Sequence, residues 1–571
     1  MTPLRSVLAV FHLVWWQHSD SLTTLRAVRR AQATFESIRR EHLPYGSGHS
    51  GGSCDLRIGR FCYWYDDDRR EDPAPEPQAI RDARATLLAA LDDAGARLPG
   101  DDWIAGQRVR YLVEDGRDRA ALGAARECRA DRWWCAALLG LALHAAGDFA
   151  GADSAFDVAL GDMPEPERCR WYDLGPLLPD ELRRRYERLS CDDRGAFESR
   201  WWWLAAPLLS RRGNDRRTEH LARLTLARIG QASRVTYGLS WGDDLRELLV
   251  RFGWPTYWTR ESSSSVTDPA PLIVGHDPTP AFHFLPSARA FDDLADATAD
   301  DWTLDGAHAP ERYAPPYADT FEPLDDQAAV FRRGDSCVVV AAYDLTDDVV
   351  LGHQTAQAAL VVTRDERSRV VTEHPARADG PDVLTVSASC DPQLLSLEIV
   401  APRARRVARV RHGIRPGDRP GGGISLSDVL LFEVAPGPVV DSLPSQLSAV
   451  LPYALGSTRV RADRKLGLFW ELYGVTSPTE PVSASLAVTP QGVGWLRRSA
   501  ASLGLVSRST SVSLDWEEMP ATHASNGAIA SRALAVDLSA LSPGRYRIEL
   551  TVAAPGREPA TAHREIELVR P

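Results

Sequence analysis

Residues 201–260 read WWWLAAPLLSRRGNDRRTEHLARLTLARIGQASRVTYGLSWGDDLRELLVRFGWPTYWTR. The hydrophobic period of the chain changes across this stretch, from helical before it to alternating after it, and its aromatic and charged residues are the densest in the chain. Leu221, Leu224 and Ala227, with Arg228, have helical spacing. Asn214 or Asp215 is placed to cap that helix, and the early acid Glu219 suits its positive end. After Trp241-Gly242-Asp243-Asp244, the residues Leu245, Leu248, Leu249 and Phe252 fit one helical face, but Leu248, Val250 and Phe252 also alternate as in a strand ending at Gly253. Period alone leaves both readings open for so short a run, and Pro255 stops either element. Trp201, Trp202 and Trp203 are adjacent and cannot share one face, so some are expected in a core and others against a neighbouring domain or a partner. A carbohydrate-stacking surface is the sharper reading of the same three rings.

At 571 residues several domains are expected, and 44% hydrophobic with 25% charged residues is ordinary for globular protein. The net charge of −12 argues against a nucleic-acid partner. Lys465 is the only lysine, which removes Schiff-base and phosphate-loop lysines everywhere else. Residues 1–18 hold an apolar run, Val7–Trp16, too short to span a bilayer; it reads as a signal segment or as an apolar strap on the first helices. No transmembrane span is expected. Eight cysteines fall as neighbours, Cys54/Cys62, Cys128/Cys135, Cys169/Cys191 and Cys337/Cys390. An even number in close pairs suits disulfides and a periplasmic or extracellular compartment, with reduced cysteines in the cytoplasm as the alternative. Connectivity stays open, and the spacings lack the C-x-x-C of zinc or redox sites.

Residues 19–190 have helical patterning. Ser19–His42 and Ile80–Leu98 are amphipathic. Between them Gly46-Ser47-Gly48-His49-Ser50-Gly51 matches a dinucleotide fingerprint and Gly48–Gly52 a nucleophile elbow. Each needs a strand before it and a helix after it; a helix and Pro44 precede this loop, so a plain flexible loop is the better reading. Cys54–Tyr65 alternates in part and reads as a hairpin closed by a disulfide, and Asp66-Asp67-Asp68 as a solvated turn. Leu139-Gly140, Leu143, Gly147, Phe149, Ala152, Phe156, Ala159 and Pro164 then resemble the tetratricopeptide pattern, with Gly116, Ala121 and Ala125 as a weaker upstream copy. That resemblance implies antiparallel helix pairs, in which Gly140, Ala152 and Ala159 permit close approach and Phe156 fills the gap. The stack offers either a concave peptide-binding surface or a structural cap on the central domain.

Residues 191–286 resemble the GWxTD domain family of bacterial envelope-associated proteins at Trp203, Pro207, Asn214, Glu219, Arg223, Trp241, Asp244, Arg246, Gly253 and Pro255. Ala206 and the segment Trp241–Arg246 depart from the family motif. The resemblance implies that Leu248–Phe252 is a strand. The family has no settled activity, so it implies architecture more than chemistry. Trp201, Trp202, Trp203, Trp241, Asp244, Arg246 and Trp254 are the candidates for a partner or domain interface.

Ala281–Leu285 is strand-like, and 287–327 reads as a long loop or linker. Beyond it short strands recur between turn signals. Ala328–Phe331, Cys337–Tyr343, Ala358–Val362, Asp382–Ser389, Leu394–Ala401, Val407–Arg411 and Val429–Val434 suggest a β-sandwich over 328–445. Thr458–Arg461, Gly467–Gly474, Ala484–Thr489, Ser511–Trp516, Ala533–Leu538, Tyr546–Ala553 and His563–Val569 suggest a second over 455–571. Leu541–Tyr546 resembles the tyrosine corner of immunoglobulin-like sandwiches, which implies a hydrogen bond from Tyr546 back to the chain. The whole is a multidomain α+β protein: a helical tetratricopeptide-like half, a central GWxTD-like domain and two antiparallel immunoglobulin-like sandwiches.

The chain has no HExxH and no Walker loop, and its histidines are scattered. No cofactor or metal and no catalytic residue is assigned. The expected function is a non-enzymatic protein-binding or scaffold protein of the bacterial envelope, its helices contacting a protein partner and its sandwiches presenting edge strands. The alternative is a secreted hydrolase on carbohydrate or peptide, using the tryptophans beside Asp243, Asp244 and Glu247.

Overall fold

The computed structural model describes residues 4–46, 54–65, 74–262, 271–306, 308–377, 380–417, 423–434, 443–475, 481–491, 511–519 and 529–570, with only the backbone over 4–20. Two compact units form: residues 1–288 with 302–319, and residues 289–301 with 320–571.

In the first unit α1 (Leu4–His42) extends the expected Ser19–His42 helix backwards through most of the 1–18 segment. It packs on α2 (Gln78–Arg97), which leads to α3 (Asp102–Glu114) and α4 (Asp118–Arg126), then α5 (Arg132–Ala145) and α6 (Phe149–Asp162). Side chains start several helices: Asp101 accepts from the Ile104 amide, and Asp148 from that of Gly151. α5 and α6 lie close because Gly140 has no side chain; a Cβ there would sit 2.7 Å from the Phe156 ring. Gly140→Ala should therefore wedge the pair apart. Overpacking costs about 1–3 kcal/mol, and alanine recovers up to about 1 kcal/mol of helix propensity. A net loss of about 1 kcal/mol in chemical denaturation is expected.

α7 (Glu165–Trp171) and α8 (Asp180–Tyr186) precede α9 (Cys191–Ala205), capped by Ser190, and α10 (Asp215–Gln231), capped by Asn214 through the Arg217 amide. α11 (Asp243–Phe252) corrects the strand expected at Leu248–Phe252. Two acids open its first turn, Leu245, Leu249 and Val250 share its buried face, and Gly253 ends it at φ +87°. The competing alternation of Leu248, Val250 and Phe252 is coincidental in so short a run.

β1 (Leu56–Ile58) and β2 (Phe61–Tyr63) form the expected hairpin, closed by Cys54–Cys62. β3 (Tyr257–Glu261) pairs with β4 (Leu272–His276). Ala281–Leu285 keeps its alternation but makes only single bridges, from Phe282 to Asp305 and Tyr313. The motifs over Ser47–Gly52 and Asp66–Asp68 lie outside the described residues. No described helix is long and apolar enough to cross a membrane. The other three disulfides also join nearest neighbours, Cys128–Cys135, Cys169–Cys191 and Cys337–Cys390.

The second unit begins with α12 (Ala288–Asp292), which spans the boundary, and is otherwise nearly all sheet. Its strands are β5 (Thr320–Pro323), β6 (Asp326–Arg333), β7 (Ser336–Asp344), β8 (Gln357–Thr363), β9 (Val370–Pro375), β10 (Pro381–Ser389), β11 (Gln393–Ala401), β12 (Arg406–Ile414), β13 (Ser425–Leu426) and β14 (Leu430–Glu433). After α13 (Leu447–Val450) come β15 (Arg459–Arg461), β16 (Lys465–Tyr473), β17 (Val482–Pro490), β18 (Val512–Glu518), β19 (Ile529–Asp537), β20 (Gly544–Ala553) and β21 (Ala560–Val569).

Sheets β10-β7-β6 and β5-β12-β11-β8-β9 enclose one core around Val339, Leu360, Leu397 and Ile399. The sheet of β13, β14, β16 and β19 and the sheet β15-β21-β20-β17-β18 enclose a second, around Leu468, Trp470, Leu486 and Ile548. A third core joins them: Phe331, Val340 and Ala342, on the back of the first pair, meet Leu430, Phe432 and Phe469. This corrects the expected boundary at 445. Val429–Val434 was expected to close the first sandwich, but Leu430–Glu433 pairs with β16, where Leu430 and Phe432 fill the third core. The Gln327 amide donates to the Leu431 carbonyl (2.8 Å) and accepts from the Leu431 amide (3.0 Å), locking that seam. The 287–327 stretch is not a linker: 287–288 and 302–319 belong to the first unit, and 289–301 and 320–327 to the second. Tyr546 Oη donates to the Ser542 carbonyl at 2.8 Å.

Candidate functional site

α10 lies against α3, α5 and α6, and also touches α9 and α11. Its docking is polar as well as apolar. Gln107 Nε2 donates to the Ile229 carbonyl, Trp103 Nε1 to that of Ala232, and Arg217 pairs with Asp153 at 2.8 Å and Asp157 at 2.6 Å. The face that the stacked pairs turn towards α10 is thus filled by the chain's own helix.

Around α10 sits a cluster of buried ionisable groups that sequence reasoning missed, because half of it comes from the supposed linker. Asp215 accepts from Tyr313 Oη (2.9 Å) and Tyr317 Oη (3.0 Å). Arg216 and Glu311, both without exposed surface, pair at 2.8 Å, and His283 Nδ1 lies 3.1 Å from Glu311. Burial pulls the Arg216 guanidinium down; Glu311, which burial alone would raise, is held low by Arg216. Nothing in the local spacing of Glu311-Arg312-Tyr313 announces this; only a buried arginine awaiting a counter-charge would have hinted at it.

His144 lies 2.9 Å from Thr218 Oγ1 and 2.7 Å from Glu219 Oε2, the order of a hydroxyl–imidazole–carboxylate relay. Thr218 has no exposed surface, and its hydroxyl donates to the Asp215 carbonyl one turn back, so no substrate reaches it. Burial raises Glu219, but Arg223 at 2.5 Å and His144 outweigh that and hold it well below the carboxylate range. Arg223 then donates to the Val250, Arg251 and Arg312 carbonyls and caps the C-terminus of α11.

The residues singled out from sequence have similar roles. Trp201, Trp202 and Trp203 are all buried at the end of α9, which corrects their assignment to a partner face or a carbohydrate surface. That end is packed all round: Asn214 Nδ2 donates to the Trp202 carbonyl, Trp302 Nε1 to that of Leu204, and Trp202 stacks near His220 at 4.8 Å. Trp241 covers Gly230, where a Cβ would meet its ring at 2.2 Å. Trp254 packs edge-on to Tyr237 and Trp258. Arg246 pairs with Asp173 at 2.7 Å. The Arg60 guanidinium and amide, with the Leu245 amide, bind Asp244 and hold its carboxyl well below the usual range. Glu247 pairs with Arg251. Asp243 is exposed, whereas Trp201, Trp202 and Trp203 are buried.

One carboxyl departs in the other direction. Glu198, on α9, is buried, and burial pushes it up to about 8 against the hydrogen bond from Tyr186. Among the described residues, no group of histidine, cysteine, aspartate or glutamate is arranged to hold a metal ion.

No family model and no curated protein matches the chain. Solved structures align weakly. Red sea bream transglutaminase matches at 7% identity and a TM-score of 0.14, over 43% of this chain and 32% of its own. The native form of E. coli alpha-2-macroglobulin matches at 9% and 0.17, over 47% and 18%. A tetra-tandem repeat from the extending region of a large adhesion protein matches at 13% and 0.14, over 43% and 49%. The chain thus spans less than half the length of each, and likenesses this slight bear on neither its fold family nor its function.

Proposed function

We propose that the protein is a non-enzymatic binding or scaffold protein of the bacterial envelope, akin to the GWxTD family, with tetratricopeptide-like helices as its frame and two immunoglobulin-like sandwiches as its display surface. One observation carries the reading. The central stretch's likeliest acids and bases are engaged in structural pairs, Asp244 with Arg60, Glu247 with Arg251, and Glu219 with Arg223 and His144. Asp244 and Glu219, whose carboxyls arginine holds ionised, are poor general acids. Because α10 covers the face of α3, α5 and α6, partner contact falls to the sheets rather than to a groove between helices. Four disulfides fit an oxidising compartment, which supports the periplasm or the cell exterior.

The test is in-cell cross-linking with mass spectrometry on the native host, using a C-terminally tagged chain. Reproducible links from the sheet-rich unit to one envelope protein are expected. Links confined to the chain itself, together with turnover of model glycans or peptides by the purified protein, would overturn the reading in favour of a hydrolase.

A further inference from the structure

We propose that the open edge of β18 receives an extended protein segment in which apolar and basic residues alternate; the inference rests on the binding-protein reading above and names the kind of partner. β18 pairs with β17 alone, and among the described residues no strand follows it in its sheet. A strand edge presents unpaired backbone donors and acceptors, which an extended backbone satisfies.

The two faces of β18 specify the rest. Val512, Leu514 and Trp516 point to the second core. Val512 and Trp516 pack on it, and the Trp516 ring lies 6.3 Å from that of Trp470. Leu514 stands opposite Leu486, which is 1% exposed, yet Leu514 itself is 43% exposed, and among the described residues no strand lies outside it. On the outer face Ser513, Asp515 and Glu517 stand opposite Ala487, Ser485 and Ser483. Neither Asp515 nor Glu517 forms an ion pair among the described residues, whereas Glu518 is held by Arg532 at 2.8 Å. A strand laid along this edge covers Leu514 with an apolar side chain on its inner face. Its outer residues come beside two unpaired carboxylates, where arginine or lysine fits.

The neighbouring edge shows the contrast. The amide and carbonyl of Glu471 both go to Ser427, so Ser531, opposite Glu471, turns its own outwards along β19. There Arg532 Nη1 donates to the Ser531 carbonyl at 2.8 Å while its Nε holds Glu518, plugging that edge. A second copy of this chain is a poor occupant of β18, since antiparallel pairing about Asp515 sets like charges opposite each other.

The probes are two short labelled peptides, one alternating valine and arginine and one alternating valine and glutamate, titrated by fluorescence anisotropy into the full chain at about 0.15 M salt. A valine–arginine peptide with alternate amides N-methylated controls for plain attraction to a chain of net charge −12. The valine–arginine peptide should bind at least about tenfold more tightly than either other peptide, lose about tenfold on Asp515→Arg with Glu517→Arg, and slow amide exchange within 512–518. Equal binding of the N-methylated peptide, indifference to the double substitution, or unchanged exchange at β18 would overturn the proposal. An in-cell partner linked only elsewhere on the chain would also overturn this placement while leaving the binding-protein reading standing. Peptide binding at β18 with no partner captured in cells would do the reverse.

Discussion

Replacing Glu311 by leucine should cost the first unit about 3–5 kcal/mol, because it leaves the Arg216 guanidinium buried without its counter-charge. Both side chains lack exposed surface and meet at 2.8 Å. Arg216 also lies over the Trp202 ring at 5.2 Å and the Tyr313 ring at 5.7 Å, so the bare cation has no route to water. The double substitution Arg216→Met with Glu311→Leu should recover most of the loss, since a buried pair replaced by apolar side chains of similar size is often near neutral. Chemical denaturation of the single and double variants checks both halves. A double variant as unstable as Glu311→Leu would show that the segment 302–319 is held by something other than this pair.

Glu198→Gln should flatten the pH dependence of stability between about pH 4.5 and 8. Tyr186 Oη lies 2.6 Å from both the Tyr172 carbonyl oxygen and Glu198 Oε1. One hydroxyl hydrogen cannot serve two acceptors. A protonated Glu198 resolves this by donating to Tyr186, which donates in turn to the carbonyl. Burial pushes the carboxyl up to about 8 in the folded chain. In the unfolded chain it returns to about 4.3. The folded state therefore holds this proton more tightly. The resulting stability is fully present below about pH 4.5 and is lost as the pH rises through about 8. Glutamine has the same shape and does not ionise. By about pH 9 the variant should be more stable than the parent by about 5 kcal/mol, with little difference near pH 5. Parallel thermal melts of the two chains over that range decide it; parallel pH profiles would mean that Glu198 is ionised in the fold.

Helix and strand positions were largely legible, because period is a local property. The cap at Asn214, the Gly140–Phe156 contact, the hairpin at Cys54–Cys62 and the Tyr546 hydrogen bond all follow from residues close in the chain. Pairing across distance was not legible. Val429–Val434 reads as the last strand of the first sandwich, and only the third core decides that Leu430–Glu433 joins β16. The 302–319 segment reads as a polar, proline-bearing linker, yet it supplies Glu311, Tyr313 and Tyr317 to Arg216 and Asp215. For the candidate site the sequence named Trp201, Trp202, Trp203, Trp241, Asp244, Arg246 and Trp254 from aromatic and charged clustering and from the GWxTD resemblance. Clustering does not distinguish side chains that meet a partner from side chains that meet each other, and here the rings of Trp201, Trp202 and Trp203 are buried and Asp244 is bound by Arg60.

The central claim is that the helical half is a frame whose inner face is permanently filled by α10, leaving partner contact to the sheets. Native-state hydrogen exchange of residues 215–231 tests it directly. The account predicts that the amides of α10 exchange only with global unfolding of the first unit, at the rate of α3 and α5. Exchange of α10 well ahead of those helices, unfolding as a separate segment, would contradict it and make that face a site from which α10 is displaced by a partner.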